Sequence, residues 1–165
     1  MPQSTDSPDS HGSSESVRHL RALLDGPPLL ALGVLVGDRP YVGQVPFAVW
    51  RLNGSLIVHV SALARHSRGL GDGAYWSGLI GAAGAADSDP FQVPRVSLEG
   101  AVRRLERSSP DYAQARDVYL DRLPSGRGHF TLGDFSLIEL EVARGRLVAG
   151  FASTFNLTSA HLRAL

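Results

Sequence analysis

The chain contains no cysteine. That excludes disulfides, iron–sulfur ligation, thiolate ligation of haem and a cysteine nucleophile. Lysine is missing as well, and all 16 cationic side chains are arginine. A Schiff-base lysine is therefore impossible, and with it the usual chemistry of pyridoxal phosphate. Any anion gripped by a cationic side chain must be gripped by arginine or protonated histidine. On its own, the arginine-only usage reads as the mark of a GC-rich genome rather than of a function. Excess charge is lacking too: 16 acidic groups face 16 basic ones. Nothing electrostatic argues for nucleic acid or an anionic membrane as partner. No apolar run approaches the roughly 20 residues that span a bilayer. The N-terminal run MPQSTDSPDSHGSSES has neither a basic n-region nor an apolar h-region. A cytoplasmic protein is expected, with no membrane and no nucleic acid among its partners. A nucleophile elbow of the form G-x-S-x-G is also missing, which argues against a serine hydrolase.

What remains is an ordinary globular composition, 43% hydrophobic over 165 residues, enough for one domain with its own core. Residues 1–14 are polar and rich in Ser, Asp, Pro and Gly, and read as a disordered tail. Residues 15–165 read as a single domain. Val17, Leu20 and Leu24 fall at helical spacing. Leu29–Val36, Tyr41–Arg51 and Leu56–Val60 read as strands, turned at GDRP (37–40) and at Asn53-Gly54. In the third of these, Leu56, Val58 and Val60 share one face, and Ile57 and His59 the other. Ser61–Leu70 reads as a short helix opening on a Ser cap. Tyr75–Gly81 and Arg95–Glu106 read as strands, the second broken by Gly100. A helix runs from a cap at Ser108 or Ser109 to about Arg122, with Pro110 in its first turn. Phe135–Val142 and Arg146–Gly150 read as a hairpin turned at Ala143-Arg144-Gly145, and Ser159–Leu165 as a terminal helix. About six strands with tight connections and no βαβ rhythm indicate a mainly β fold with peripheral helices, in which barrel closure removes the exposed edges.

Three runs carry a family resemblance. They are VGQVPFAVWRLNGSLIVHVSALARHSRGL (42–70), PRVSLEGAVRRL (94–105) and YLDRLPSGRGHFTLGDFSLIELEVARGRLVAGFAS (119–153). Within them stand Ser61, Leu63, Ala64, His66 and Ser67; then Pro94 to Gly100; then Asp134-Phe135 with Val148, Gly150 and Phe151. In order and spacing they resemble the pyridoxamine-phosphate-oxidase-like superfamily, and most of all its haem-utilisation branch. The resemblance covers roughly residues 16–163. It implies a six-stranded antiparallel FMN-binding split barrel that forms a homodimer with two cofactor sites at the subunit interface. Each site would be built from strand 41–51, strand 56–60 with His59 and Val60, and the turn that follows. Gln44, Val45 and Pro46 align with the strand beneath the flavin ring.

Physical chemistry supplies roles for these positions. FMN carries a dianionic phosphate, and segment 61–68 offers Ser61, Arg65, His66, Ser67 and Arg68 together with the N–H groups of a helix start. The plain alternative is a solvated basic turn. Arg65-His66 stands where the oxidases have Arg-Lys, and a protonated His66 would replace the lysine. Gly43 stands where they have a phosphate-binding arginine, a departure for which Arg68 could compensate. Arg95 aligns with a residue that contacts the flavin ring. It could stabilise the reduced ring, pair with a haem propionate, or form an ion pair with Asp87 or Asp89. Phe151 or Phe155 could line the mouth of the cleft, and His129 falls near the expected interface. Haem is the alternative cofactor, although the chain is expected to lack the C-terminal extension that supplies an axial ligand in some relatives. A non-catalytic binding module is the third reading. The W-x-x-x-R-type signature of true pyridoxamine-phosphate oxidases is missing from residues 150–165. No catalytic residue and no metal site are assigned, since none of the six histidines forms a ligand pair with a carboxylate in register.

Overall fold

The computed structural model describes residues 14–82, 89–150 and 153–165. Apart from Ser14, the expected N-terminal tail lies outside the described residues. The first helix, α1 (Ser14–Asp25), buries Leu20, Leu23 and Leu24. Seven strands follow: β1 (Leu29–Val36), β2 (Arg39–Trp50), β3 (Ser55–Ser61), β4 (Tyr75–Gly81), β5 (Arg95–Arg104), β6 (Phe135–Gly150) and β7 (Ser153–Leu157). Helix α2 (Pro110–Arg122) lies between β5 and β6, and α3 (Ser159–Arg163) follows β7. Ser109 caps α2 by accepting from the Tyr112 N–H, with Pro110 in the first turn.

The strands pair antiparallel in the order β3-β2-β1-β4-β5-β6-β7, and a further β3–β6 ladder closes the sheet on itself. Strands β1 to β6 form the barrel, and β7 is an outer addition to β6. The mainly β barrel expected from the turn signals is what forms. Its interior is filled by Leu30, Leu32, Val45, Phe47, Leu56, Val58, Val60, Leu98, Ile138 and Leu140, joined by the α1 leucines and by Leu162 of α3. A second cluster lies outside the barrel, where Ala115 and Tyr119 of α2 cover Ala48, Trp50, Ile57 and Leu137. Strand β3 is therefore buried on both faces, with Leu56, Val58 and Val60 inward and Ile57 outward under α2.

Two expectations are corrected. No hairpin turns at Ala143-Arg144-Gly145, because β6 runs unbroken through it for 16 residues. Gly145 is there for close packing: a Cβ would stand 2.5 Å from Leu98 Cδ2 and 2.7 Å from Ser97 O. Likewise Gly100 does not break β5 but sits at a bulge, where a Cβ would fall 1.9 Å from Glu141 O.

One irregularity positions the candidate site. The β2–β3 ladder runs only from Trp50–Ser55 to Phe47–Val58. Beyond it the strands part: Arg39–Pro46 stays with β1, while His59, Val60 and Ser61 stay with β6. The barrel wall is thus forked. The chain leaving β3 turns back into the fork as a 3₁₀ turn at Arg65–Gly69, which buries Gly69 and Leu70 against β1.

Candidate functional site

The fork gathers most of the residues singled out in the sequence. Because Phe47 and Val58 are paired and point inward, Gln44 and Pro46 on β2 and His59 and Ser61 on β3 occupy the outer face. Gln44 and Pro46 are exposed. Val45 and Val60 point into the barrel core at 3% and 5% exposure, so only their backbone groups can meet a ligand.

The segment after β3 differs from its expected form. It holds no α-helix, and the five-residue 3₁₀ turn Arg65–Gly69 follows Ala64 with no side-chain cap. A helix-dipole cradle for an anion is therefore not built here. The Ser61 hydroxyl donates to the Asp134 carboxylate at 2.5 Å and accepts from Leu63 N–H at 3.1 Å. Ser67 Oγ donates to the Ser61 carbonyl at 2.6 Å. Both hydroxyls hold the turn together, and Asp134 places an acid beside Ser61. The cations point elsewhere. Arg65 lies over the Tyr41 ring at 5.1 Å, and Arg68 is exposed; among the described residues neither is salt-bridged to a carboxylate. His66 packs on Gly43, where a Cβ would stand 3.0 Å from its Nδ1. Glycine at 43 is thus the space that seats His66. Burial holds His66 below the usual histidine pKa, so its ring is neutral at pH 7 rather than a standing cation.

His59 is the most unusual side chain of the group. It is 6% exposed, and neither ring nitrogen has a hydrogen-bond partner. Phe130 stacks on it with centroids 3.9 Å apart and planes 13° apart. Phe135 lies at 5.0 Å and Tyr119 at 5.8 Å edge-on. Burial, then the nearby His129 and Arg107 charges, push its pKa down to about 4. Burial also raises the Tyr119 hydroxyl to about 12.

Arg95 is not part of this cluster. It donates to the Val93 carbonyl at 3.1 Å, while the Asp89 carboxylate accepts from Phe91 N–H; Asp87 and Phe151 lie outside the described residues. Strands β1 and β4 separate β5 from β2. Three strand spacings put Arg95 about 14 Å from the fork. Between them runs a groove of about 610 Å³ lined by Ala31, Gly33, Val42, Ser77, Leu79 and Arg146, among others. Leu29, Leu35, Val42, Tyr75 and Leu79 are all exposed, at 44% to 83%. Strand alternation puts them on the outer sheet face. An exposed apolar face of this kind is a candidate interaction surface.

Asp134, Phe130 and Tyr41 were given no role by sequence reasoning. Asp134 stood within a motif, but Phe130 gave no signal, because its partner lies on a strand 71 positions earlier.

The donor set fits a planar cofactor with an anionic tail: two guanidiniums without acidic partners, exposed Gln44 and Pro46, and a β2 edge with no strand partner on its β3 side. Haem would also need an axial nitrogen. His161 Nδ1 accepts the Thr158 N–H at 3.0 Å, which puts its proton on Nε2 and removes that lone pair from ligation. His129 is exposed, stacks on Phe135 beside the fork, and keeps an accessible ring. No group of three or more His, Asp or Glu able to hold a metal ion occurs among the described residues. No helix among them is long and apolar enough to cross a membrane.

No family model matches the chain, and no curated protein matches it. Solved structures do. A heme binding protein from Mycobacterium smegmatis superposes with a TM-score of 0.77 at 28% identity, over 90% of this chain and 60% of that one. HutZ, the heme storage protein from Vibrio cholerae, gives 0.68 at 20% identity over 84% and 92% of the two chains. The FAD and heme binding protein from M. smegmatis gives 0.59 at 19% identity over 85% and 81%. This chain thus spans 60% of the length of the first of these. The fold is a split barrel, forked between β2 and β3. The neighbours bear out the resemblance to the pyridoxamine-phosphate-oxidase-like superfamily and to its haem-utilisation branch.

Proposed function

We propose that the chain is a flavin-binding protein that takes FMN at the β2–β3 fork and works as a homodimer. The observation that carries this reading is the fork itself. It exposes a strand edge and the side chains of Gln44 and Pro46, and the turn that follows β3 carries Arg65 and Arg68, neither salt-bridged to a carboxylate among the described residues. Arg65 and Arg68 hold the phosphate; His66, neutral when the site is empty, gains its proton as the dianion arrives. The dimer brings Arg95 of a second copy to the fork across the apolar outer face, which one copy alone leaves about 14 Å apart. The flavin would supply two-electron redox chemistry, and an oxidoreductase follows from that; this chain's residues bind and orient it.

The test is the visible spectrum of freshly purified protein, followed by FMN titration. Saturation in the micromolar range is expected, with Arg65→Ala and Arg68→Ala each weakening binding about tenfold. Absence of any binding at tens of micromolar FMN refutes the reading.

Haem is the second reading, favoured by the 28% identical heme binding neighbour. Its axial donor would be His129. A Soret band that appears with haemin and is lost in His129→Ala would establish it in place of the flavin.

A further inference from the structure

Arg65 is held differently from most arginines of this chain. Arg103, Arg104, Arg122, Arg146 and Arg163 are each fixed by hydrogen bonds to a carboxylate, a hydroxyl or a carbonyl. Among the described residues the Arg65 guanidinium makes no such bond and no ion pair; the Tyr41 ring lies beneath it instead, 5.1 Å from Cζ to the centroid. That ring is itself anchored. Tyr41 pairs with Val34 across the β1–β2 ladder, is half-buried, and packs on the barrel core. Two residues further along the same face of β2 stands Gly43, where a Cβ would lie 3.0 Å from His66 Nδ1 and 3.5 Å from Tyr41 Cε1. Tyr41 and Gly43 thus make a bed, a ring beside a hollow, under the consecutive side chains Arg65 and His66. A cation–π contact restrains a guanidinium without supplying an acceptor for its N–H donors, which stay available to an anion. It also removes in advance part of the rotamer freedom that an exposed arginine gives up when it grips a phosphate. Arg68, equally exposed, has no ring beneath it among the described residues.

We propose that Tyr41 is a positioning residue of the cofactor site: it pre-orients Arg65 for the phosphate, and so sets the preference for phosphorylated over unphosphorylated flavin. The proposal rests on the flavin reading and adds to it a residue that acts on the cofactor through Arg65.

The test is titration with FMN and with riboflavin, its form without phosphate, of wild type, Tyr41→Phe, Tyr41→Leu, Tyr41→Met, Arg65→Ala and the double variant Arg65→Ala/Tyr41→Leu. Tyr41→Leu and Tyr41→Met should each weaken FMN binding between about two- and fivefold and leave riboflavin binding unchanged. Tyr41→Phe keeps the ring and should bind FMN as wild type does. In the Arg65→Ala background, Tyr41→Leu should change nothing further. A merely structural tyrosine would weaken both ligands, and would do so with or without Arg65. In parallel, the Arg65 Nε–H resonance is followed by NMR without ligand, assigned by its loss in Arg65→Ala. A ring-current shift should be present in wild type and Tyr41→Phe and lost in the leucine and methionine variants. If wild type binds FMN while the leucine and methionine variants match it, lose FMN and riboflavin alike, or lose FMN equally without Arg65, the proposal falls and the flavin reading stands. If neither wild type nor any variant binds FMN, both fall. Should the leucine and methionine variants fail to fold, wild type decides: an Arg65 resonance without a ring-current shift overturns the proposal, and a shifted one kept in Tyr41→Phe supports it.

Discussion

The buried imidazole of His59 makes a quantitative prediction about acid stability. In the unfolded chain it titrates near 6.5, and in the fold near 4. Between those values the unfolded state binds a proton that the folded state refuses, so stability falls as pH falls from about 6.5 to about 4 and levels off below. That shift corresponds to about 3 kcal/mol, a large part of the 5–15 kcal/mol typical of a domain. Replacement by phenylalanine keeps a flat ring against Phe130 and removes the titration. The measurement is urea unfolding at pH 7, 6, 5 and 4.5, followed by the fluorescence of the buried Trp50 and Trp76. His66 is shifted in the same direction and contributes its own slope to both proteins. The difference between wild type and His59→Phe isolates His59. It should grow by about 2.5 kcal/mol in favour of the variant from pH 7 to pH 4.5. Parallel profiles would show that the imidazole is hydrated or paired in solution, and would remove the physical basis for treating it as an unsatisfied group.

Further expectations follow from the packing. Arg103 holds the buried Glu139 carboxylate through its Nε at 2.7 Å and also pairs with Asp111 at 2.8 Å. Arg103→Met leaves Glu139 with only Ser55 and Asn53, and should cost about 3–5 kcal/mol by urea unfolding; under 1 kcal/mol would show that the ion pair contributes little to stability. Gly100→Ala forces a methyl group onto the Glu141 carbonyl and should lower the thermal midpoint by many degrees, whereas Gly71→Ala, with open space around it, should not. Val42→Asp, 68% exposed in one copy, should convert the proposed dimer to a monomer in light scattering with little change in circular dichroism.

The strands were legible wherever local chemistry decides them. Asn53-Gly54 announces its turn because Gly54 adopts φ +68°, a conformation glycine takes at no steric cost. The Ser109-Pro110 start of α2 is equally local. Misreadings arose where glycine serves a neighbouring strand instead of its own backbone. Gly145 looks like a turn, but it is needed because Leu98 and Ser97 crowd it from β5. Ser61 looks like a helix cap, but its hydroxyl is taken by Asp134, 73 residues later. Alternation on β3 correctly put Ile57 and His59 on one face. That this face is also buried depends on α2 and the Pro124–Thr131 segment, which no pattern within β3 reveals. Of the candidate site, the residues that the resemblance named gather mostly at one fork, while the neutral state of His66 and the seat that Gly43 provides come from a tertiary contact alone.

The β3–β6 ladder carries a kinetic consequence. It joins Ser55 to Glu141 and Ser61 to Phe135, so the barrel shuts only when segments far apart in sequence meet. A nascent chain that has reached Gly81 can already pair β1 with β2 and β4, and β2 with β3, yet the outer edge of β3 stays bare until β6 is made. During that interval a strand carrying Leu56, Ile57, Val58 and Val60 waits without its neighbour, and another chain's strand can take its place. Folding governed by such distant pairing runs on the millisecond-to-second scale. Synthesis at high concentration is therefore the moment at which this protein is most exposed to aggregation, before any cofactor can help.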